Sequence, residues 1–237
     1  MFAEQGGGGA AQVVSPAMSA VVLVPTYEEA ENIGDLLRAL RAEAPEASVL
    51  VIDDASPDGT ADEAQRVGDE LGRVEVLRRT GKDGLGNAYR AAFARALAAG
   101  HDVLVTCDAD LSHDPAAIPD LLAEVDAGAD LVIGSRYVPG GSTPGWPPHR
   151  RALSRYGNRY TGWVLRLPVR DITSGFRAYR GSTLEAIDYA TTRASGYAFM
   201  TELAVRIVGS GARVTEVPIT FRDRTRGTSK MSSRIIA

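Results

Sequence analysis

Between residues 20 and 134, five short apolar, β-branched runs alternate with stretches of helical periodicity, and this alternation constrains the fold more than any other feature. The runs are 20–24, 49–52, 74–77, 103–107 and 131–134; the helical stretches lie near 32–42, 60–71, 86–99 and 115–127. Short apolar runs bounded by polar and turn residues read as buried strands. The 86–99 stretch is alanine-rich, with Phe93 and Leu97 at helical spacing, and reads as an amphipathic helix. Strands alternating with helices imply an α/β fold, a mainly parallel sheet with helices on both faces.

Two of these runs end in paired carboxylates. Asp108 and Asp110 follow 103–107, and Asp53 and Asp54 follow 49–52. In open α/β sheets ligands bind beyond the carboxyl ends of the strands, where both pairs would lie. Carboxylates at i and i+2 can share one hard divalent cation together with substrate phosphates. Aspartate also caps the loop or helix after a strand, which explains either pair alone. Their joint appearance favours a crevice for a nucleotide diphosphate and a metal.

After residue 134 the alternation stops. Residues 139–148 hold four prolines and three glycines in close succession with Trp146 among them, and read as a long loop. A basic amphipathic stretch, 150–166, follows with Leu153, Tyr156, Tyr160, Trp163 and Val164. Then come 171–180, a helix near 199–208 and a strand-like 213–221. No repeat and no linker divides the chain. The expected organisation is a flexible glycine-rich tail, 1–19, and one domain, 20–237, with a nucleotide-binding half, 20–134, and an acceptor-facing half, 135–237.

Charge divides along the same line. Residues 1–135 carry 24 acidic and 9 basic side chains, and residues 136–237 carry 6 acidic and 17 basic. The basic half would meet an anionic partner (phosphate, nucleic acid or membrane surface) or neutralise the acidic half internally. Nucleic acid is disfavoured, because the basic residues are not interleaved with aromatics for stacking. The single cysteine, Cys107, sits in an expected buried strand and reads as an inert thiol in a reducing compartment. With no apolar stretch near the roughly 20 residues of a membrane span and no signal-peptide pattern, a cytoplasmic location is expected.

The remaining motifs each have two readings. Pro25-Thr26-Tyr27-Glu28-Glu29 ends the first strand; its acids suit a helix N-terminus, or Tyr27 and Glu29 contact a nucleotide. Asp53 to Thr60 holds a strand end, a tight turn and a helix cap, or a grip on ribose or base. Gly81 to Asn87 opens a helix but matches neither the P-loop nor the dinucleotide fingerprint, so a turn is favoured over a phosphate cradle. Phe221 to Lys230 is a solvated tail, the reading composition alone favours, or a mobile loop closing over a diphosphate.

In chain order, Pro25 to Glu29, Ile52 to Thr60, Asp108-Ala109-Asp110-Leu111-Ser112-His113, Gly134-Ser135-Arg136-Tyr137, Thr173-Ser174-Gly175-Phe176-Arg177 and Arg224 to Lys230 resemble the family 2 glycosyltransferases, specifically the dolichyl-phosphate (polyprenol-phosphate) mannose synthases. The resemblance implies a GT-A-like nucleotide-sugar-binding fold and inverting transfer of mannose from GDP-mannose to a polyprenyl monophosphate, with Mg²⁺ or Mn²⁺. It further implies that Pro25, Tyr27, Glu29, Ile52 and Asp54 line the nucleotide pocket, and that Asp108, Ala109 and Asp110 hold metal and diphosphate. Arg224 and Lys230 would clamp the diphosphate, with Asp110, Arg224 and Lys230 as the catalytic set. Arg136 would serve both the nucleotide sugar and, with Arg150 and Ser154, the acceptor phosphate. Ser112 departs from relatives that carry glutamine there as a further ligand.

No general base is required, since a phosphate monoester with a second pKa of about 6 is already an anionic nucleophile at neutral pH. This agrees with the scatter of His101, His113 and His149. A lipid acceptor implies peripheral contact at the cytoplasmic face of a membrane, with 150–166 as an interfacial helix or with a membrane-anchoring partner protein. Two other readings stay open. One is the same fold with UDP-glucose or another sugar nucleotide; the other is a non-catalytic subunit that binds nucleotide or lipid.

Overall fold

The structure is a computed structural model and describes residues 18–224 and 226. One seven-stranded sheet runs through both halves, in the order β3-β2-β1-β4-β6-β5-β7. Its strands are β1 (Ala20–Thr26), β2 (Ser48–Asp53), β3 (Val74–Arg78), β4 (Val103–Thr106), β5 (Leu131–Ser135), β6 (Arg177–Arg180) and β7 (Val214–Pro218). All pairings are parallel except those of β6, which runs antiparallel between β4 and β5. The expected class holds.

Side-chain alternation explains the two cores. Val22 and Val24 of β1 face α1 (Ala30–Glu43), α2 (Thr60–Leu71) and α4 (Ile118–Asp126). Val21 and Leu23 face α3 (Leu85–Ala98), the short α6 (Gly181–Ala186) and α7 (Tyr197–Gly209). Tyr89 and Phe93 of α3 stack with Phe199 of α7 at 6.0 and 6.2 Å and anchor that face. Burying each such aromatic stabilises by roughly 1.5–3 kcal/mol. Every expected strand and helix up to residue 134 is present, with ends shifted by a few residues.

The later chain differs more. Pro148, expected in the loop, starts α5 (Pro148–Leu165), where a missing N–H costs nothing. Residues 177–180 form β6 without an apolar alternation; Arg177 is fully buried, and its guanidinium is spent on three carbonyls, those of Ser174 and Met200 at 2.7 Å and that of Ile172. Ser19, in the stretch expected as tail, donates its N–H to Asp102 at 2.9 Å. Among the described residues no helix is long and apolar enough to cross a membrane.

The strand order fixes the crevice. From β1 the chain moves outward to β2 and β3, then returns to place β4 on the other side of β1. The carboxyl ends of β1 and β4 therefore flank a topological switch point, the position where open α/β sheets bind ligands.

Candidate active site

Three loops leave the sheet at this point, after β1, β2 and β4, and each contains a non-glycine residue at positive φ: Glu28 (55°), Ala55 (56°) and Leu111 (61°). Such backbone costs of order 1–3 kcal/mol and persists only where the surroundings impose it, commonly at functional sites. The first two loops interlock. Thr26 Oγ1 donates to Asp53 Oδ1 (3.0 Å), the Ala30 N–H to Asp58 Oδ2 (3.1 Å) and the Glu29 N–H to Thr60 Oγ1 (2.9 Å). Asp53 also accepts the Ser56 N–H (2.9 Å) and hydroxyl (2.6 Å), so its carboxylate is committed to the turn. Hydrogen bonds from Thr60 and Ala30 outweigh partial burial and hold Asp58 below the usual carboxylate range.

Asp54 points elsewhere. It pairs with Arg79 at 2.5 Å, and Arg79 reaches on to Asp83 at 2.6 Å. Burial raises the Asp54 pKa, and Arg79 opposes this only in part. Lys82, from the glycine-rich loop, sits 3.7 Å above the Tyr27 ring. That loop thus meets the expected nucleotide pocket through a cation, and sequence reasoning missed both Arg79 and Lys82. Their signal was only their position between β3 and α3.

Beyond β4, Asp108 lies deep in the crevice yet keeps 36% of its side chain exposed. Its deep setting raises its pKa, with His113 opposing and Asp110 adding to the rise. His113 is buried, stacks on Phe176 (5.0 Å between centroids) and accepts the Asp108 N–H at Nδ1 (3.3 Å). Burial lowers its pKa, so it is a neutral packing residue here. Burial likewise pushes the Cys107 thiol well up, with the two aspartates adding to it, and the thiol is inert.

Asp110 accepts the Ser112 N–H at 3.0 Å and pairs with Arg224 at 2.7 Å. Arg224 also approaches Glu29 at 3.7 Å, and Glu29 accepts from Asn32 at 2.8 Å. The chain after β7 delivers Arg224 by crossing back over the crevice: Phe221 bridges His113, and the Arg222 N–H donates to the Ser112 carbonyl (3.1 Å). One guanidinium therefore joins the loops after β1 and β4. Lys230, expected beside it, lies outside the described residues.

Arg136 is nearly buried. Its guanidinium grips Asp171 through two bonds of 2.7 and 2.6 Å, its N–H donates to the same carboxylate at 2.9 Å, and Nη2 also reaches Thr173 at 2.7 Å. Asp171, fully buried, was missed; its signal was its place two residues before the Thr173 motif. Arg136, Arg150 and Ser154 share one cluster. Trp146 lies 5.8 Å from Arg136 and 3.9 Å from Arg150, Tyr137 lies 5.3 Å from Arg136, and the Tyr137 hydroxyl donates to Ser154 Oγ at 2.6 Å. Asp223 ties this cluster to the returning chain, accepting from Arg150 at 2.7 and 3.1 Å and from Trp146 at 3.0 Å.

The glycosyl transferase family 2 pattern matches residues 21–188. The chain belongs to this family. It is 46% identical to the polyprenol monophosphomannose synthase of Mycolicibacterium smegmatis, over 97% of this chain and 87% of that one. It is 49% identical to the undecaprenyl-phosphate mannosyltransferase of Micrococcus luteus, over 92% and 90% of the two chains. Among solved structures, the fold is similar to glucosyl-3-phosphoglycerate synthase from Mycobacterium tuberculosis in complex with Mn²⁺, UDP and phosphoglyceric acid (TM-score 0.68, 19% identity, covering 89% of this chain and 72% of that one). The GT-A-like fold of this family 2 glycosyltransferase is thereby shown.

Asp108 and Asp110 supply oxygen donors only, the chemistry a hard divalent cation takes. The Ser112 hydroxyl, buried two residues on, has no hydrogen-bond partner among the described residues and adds an unspent oxygen. No group of three or more His, Cys, Asp and Glu side chains placed to hold a metal occurs among the described residues. A cation here would complete its shell from substrate oxygens.

Proposed function

We propose that this glycosyltransferase moves mannose from GDP-mannose to the phosphate of a polyprenyl monophosphate, with inversion at the anomeric carbon. The observation that carries the reading is Arg224 joining Asp110 and Glu29 across the switch-point crevice, beside a cluster of Arg136, Arg150 and Ser154 suited to a second phosphate. The names of the two bacterial relatives, a polyprenol monophosphomannose synthase and an undecaprenyl-phosphate mannosyltransferase, support sugar and acceptor in kind.

In this reading Pro25, Tyr27, Glu29, Ile52 and Asp54 line the base and ribose site, with Arg79 orienting Asp54. Asp108, Ala109 and Asp110 face the diphosphate. When bound there, Mg²⁺ or Mn²⁺ held by Asp108 and Asp110 would supply Lewis-acid stabilisation of the leaving diphosphate. Arg224, with Lys230, adds positive charge where the leaving group develops its negative charge. Arg136 is held rigid by Asp171 and, with Arg150 and Ser154, sets the acceptor phosphate for attack from the opposite face of the sugar. Positioning and electrostatics carry the catalysis. We also place the protein peripherally at the cytoplasmic face of a membrane, alone or with an anchoring partner; the lipid acceptor and the single buried thiol support this.

Transfer of radiolabelled mannose from GDP-mannose to a short polyprenyl phosphate, with Mn²⁺ and with EDTA, tests the reading. Lipid-extractable, metal-dependent label is expected. Label from UDP-glucose and none from GDP-mannose would overturn the donor.

A further inference from the structure

Helix α5 carries a buried asparagine in its middle. Asparagine is a weak helix former, because its amide competes for backbone hydrogen bonds, and a buried amide must satisfy the donors and acceptor it carries. Asn158 is 2% exposed and meets that demand in full. Its Oδ1 accepts the Thr173 N–H at 3.1 Å, and its Nδ2 donates to the Ser154 carbonyl at 3.0 Å and to Thr173 Oγ1 at 3.1 Å. These partners fix which way the amide points, since a flipped amide would set Oδ1 against a carbonyl. Little else seats the helix. Only Asn158 and Gly162 are buried along its 18 residues, while Tyr156, Tyr160 and Trp163 are exposed. Gly162 supplies closeness, for a Cβ there would stand 3.4 Å from Ile172 and from the Val169 carbonyl. Asn158 supplies the directed contact.

That contact leads to Arg136. Thr173 Oγ1 accepts from Asn158 and from Arg136 Nη2, the latter at 2.7 Å, so both of its lone pairs are taken and its hydrogen turns to Asp171 Oδ1 at 3.4 Å. Asp171 grips Nε and Nη2 of Arg136 as a fork, and its own N–H donates to Glu216 of β7 at 3.0 Å. Arg136 is therefore held from β7 through Glu216 and Asp171, and from α5 through Asn158 and Thr173. The same helix carries Ser154 and Arg150, four and eight residues before Asn158. Both lie within about 80° of Asn158 around the helix axis. One amide thus sets the register between Arg136, just after β5, and the two residues on α5.

We propose that Asn158 is a positioning residue, which through the Thr173 hydroxyl aligns Arg136 with Arg150 and Ser154 and so makes one phosphate site from two separate elements. The hydrogen-bond path stands by itself, and its purpose rests on the acceptor reading proposed above. Donors already fixed in place lose little freedom when an anion arrives. Breaking the path therefore weakens the acceptor phosphate and leaves the donor crevice, built by the loops after β1, β2 and β4, as it was.

The full chain is titrated calorimetrically with farnesyl phosphate, a short polyprenyl phosphate, and separately with GDP and Mn²⁺. In Asn158→Ala and in Thr173→Val the affinity for farnesyl phosphate is expected to fall at least about tenfold, while that for GDP stays within about twofold of the wild type. Thr173→Ser keeps the hydroxyl and restores binding. The double variant Asn158→Ala with Thr173→Val binds no more weakly than the weaker single, because both changes cut one path. In turnover the same variants raise the KM for the acceptor and leave that for GDP-mannose. Asn158→Ala strands the Thr173 N–H and melts lower, so affinities are compared per folded molecule; Thr173→Val, at an exposed position, melts near the wild type. Equal farnesyl phosphate binding by wild type and folded variants, or losses at 158 and 173 that multiply, overturns the proposal and leaves the transfer reading standing. Equal weakening of GDP and farnesyl phosphate makes Asn158 a purely structural residue and overturns it too. A wild type that binds no farnesyl phosphate refutes the acceptor reading and the alignment with it. One that binds it and transfers no mannose refutes the donor alone, and the binding ratios still decide the alignment.

Discussion

The two carboxylate pairs look alike in the sequence and differ in the structure. Both follow β-branched strands, and both sit at the switch-point end of the sheet. Asp53 is nevertheless consumed by the fold, taking three hydrogen bonds from Thr26 and Ser56, while its neighbour Asp54 spends itself on Arg79. Asp108 instead stays open to the crevice, and Asp110 is tied to Arg224 on a segment that returns from the far end of the chain. A carboxylate bonded to its own turn is structural. One held by a long-range cation over a crevice is available for exchange with a ligand, because a substrate diphosphate or a metal can take the place of either partner.

Substitutions sharpen this contrast, and the largest effect is expected at Asp110. Asp110→Asn should lower the transfer rate at least about 100-fold, of the order seen when one preorganised charge is removed, with a melting temperature close to that of the wild type. Radiolabel transfer and thermal unfolding measure the two together. Asp53→Ala should do the reverse. It leaves the Thr26 and Ser56 donors without their buried acceptor and costs roughly 2–3 kcal/mol, read by urea denaturation, while the rate per folded molecule stays near that of the wild type.

Asp54→Ala falls between these. It should raise the donor KM about tenfold at nearly unchanged kcat, the pattern of lost uniform binding, and steady-state kinetics at saturating acceptor would show it. The smallest effect is at Asp223, where the Arg150 hydrogen bond, with Trp146 and against a little burial, holds the pKa down. A depressed carboxylate stabilises the fold above its unfolded pKa, near 3.9, and that contribution fades as pH falls through the lower folded value. Both partners are about half exposed, so solvent screening keeps the contribution under about 1 kcal/mol. Melting temperatures of the wild type and Asp223→Asn should converge as pH drops from about 5 toward 2.

Legibility followed the same division. Local patterns placed the strands and helices up to residue 134, because hydrophobic period and turn chemistry are local signals. The order of the sheet was not local. β6 slips antiparallel between β4 and β5 and carries Arg177, a charged residue that sequence alone would put at the surface and that meets three carbonyls in the interior. Within the site, the carboxylates were readable as chemistry-bearing types at strand ends, and Arg136 only through the family resemblance. Their partners were not: Asp171 lies 35 residues from Arg136, and Arg79 lies 25 from Asp54. Such pairs are made by tertiary packing, and no spacing rule encodes them. The outward face of α5 was half legible, since its basic and aromatic composition was plain and the direction of its large side chains was not.

The most direct test is single-turnover transfer of mannose from GDP-mannose to polyprenyl phosphate, compared between Asp110→Asn and Asp53→Asn at equal folded concentration. The account predicts a fall of at least about 100-fold for Asp110→Asn and a rate within about threefold of the wild type for Asp53→Asn. An Asp110→Asn enzyme that keeps its full rate, or an Asp53→Asn enzyme that falls equally far, would contradict it.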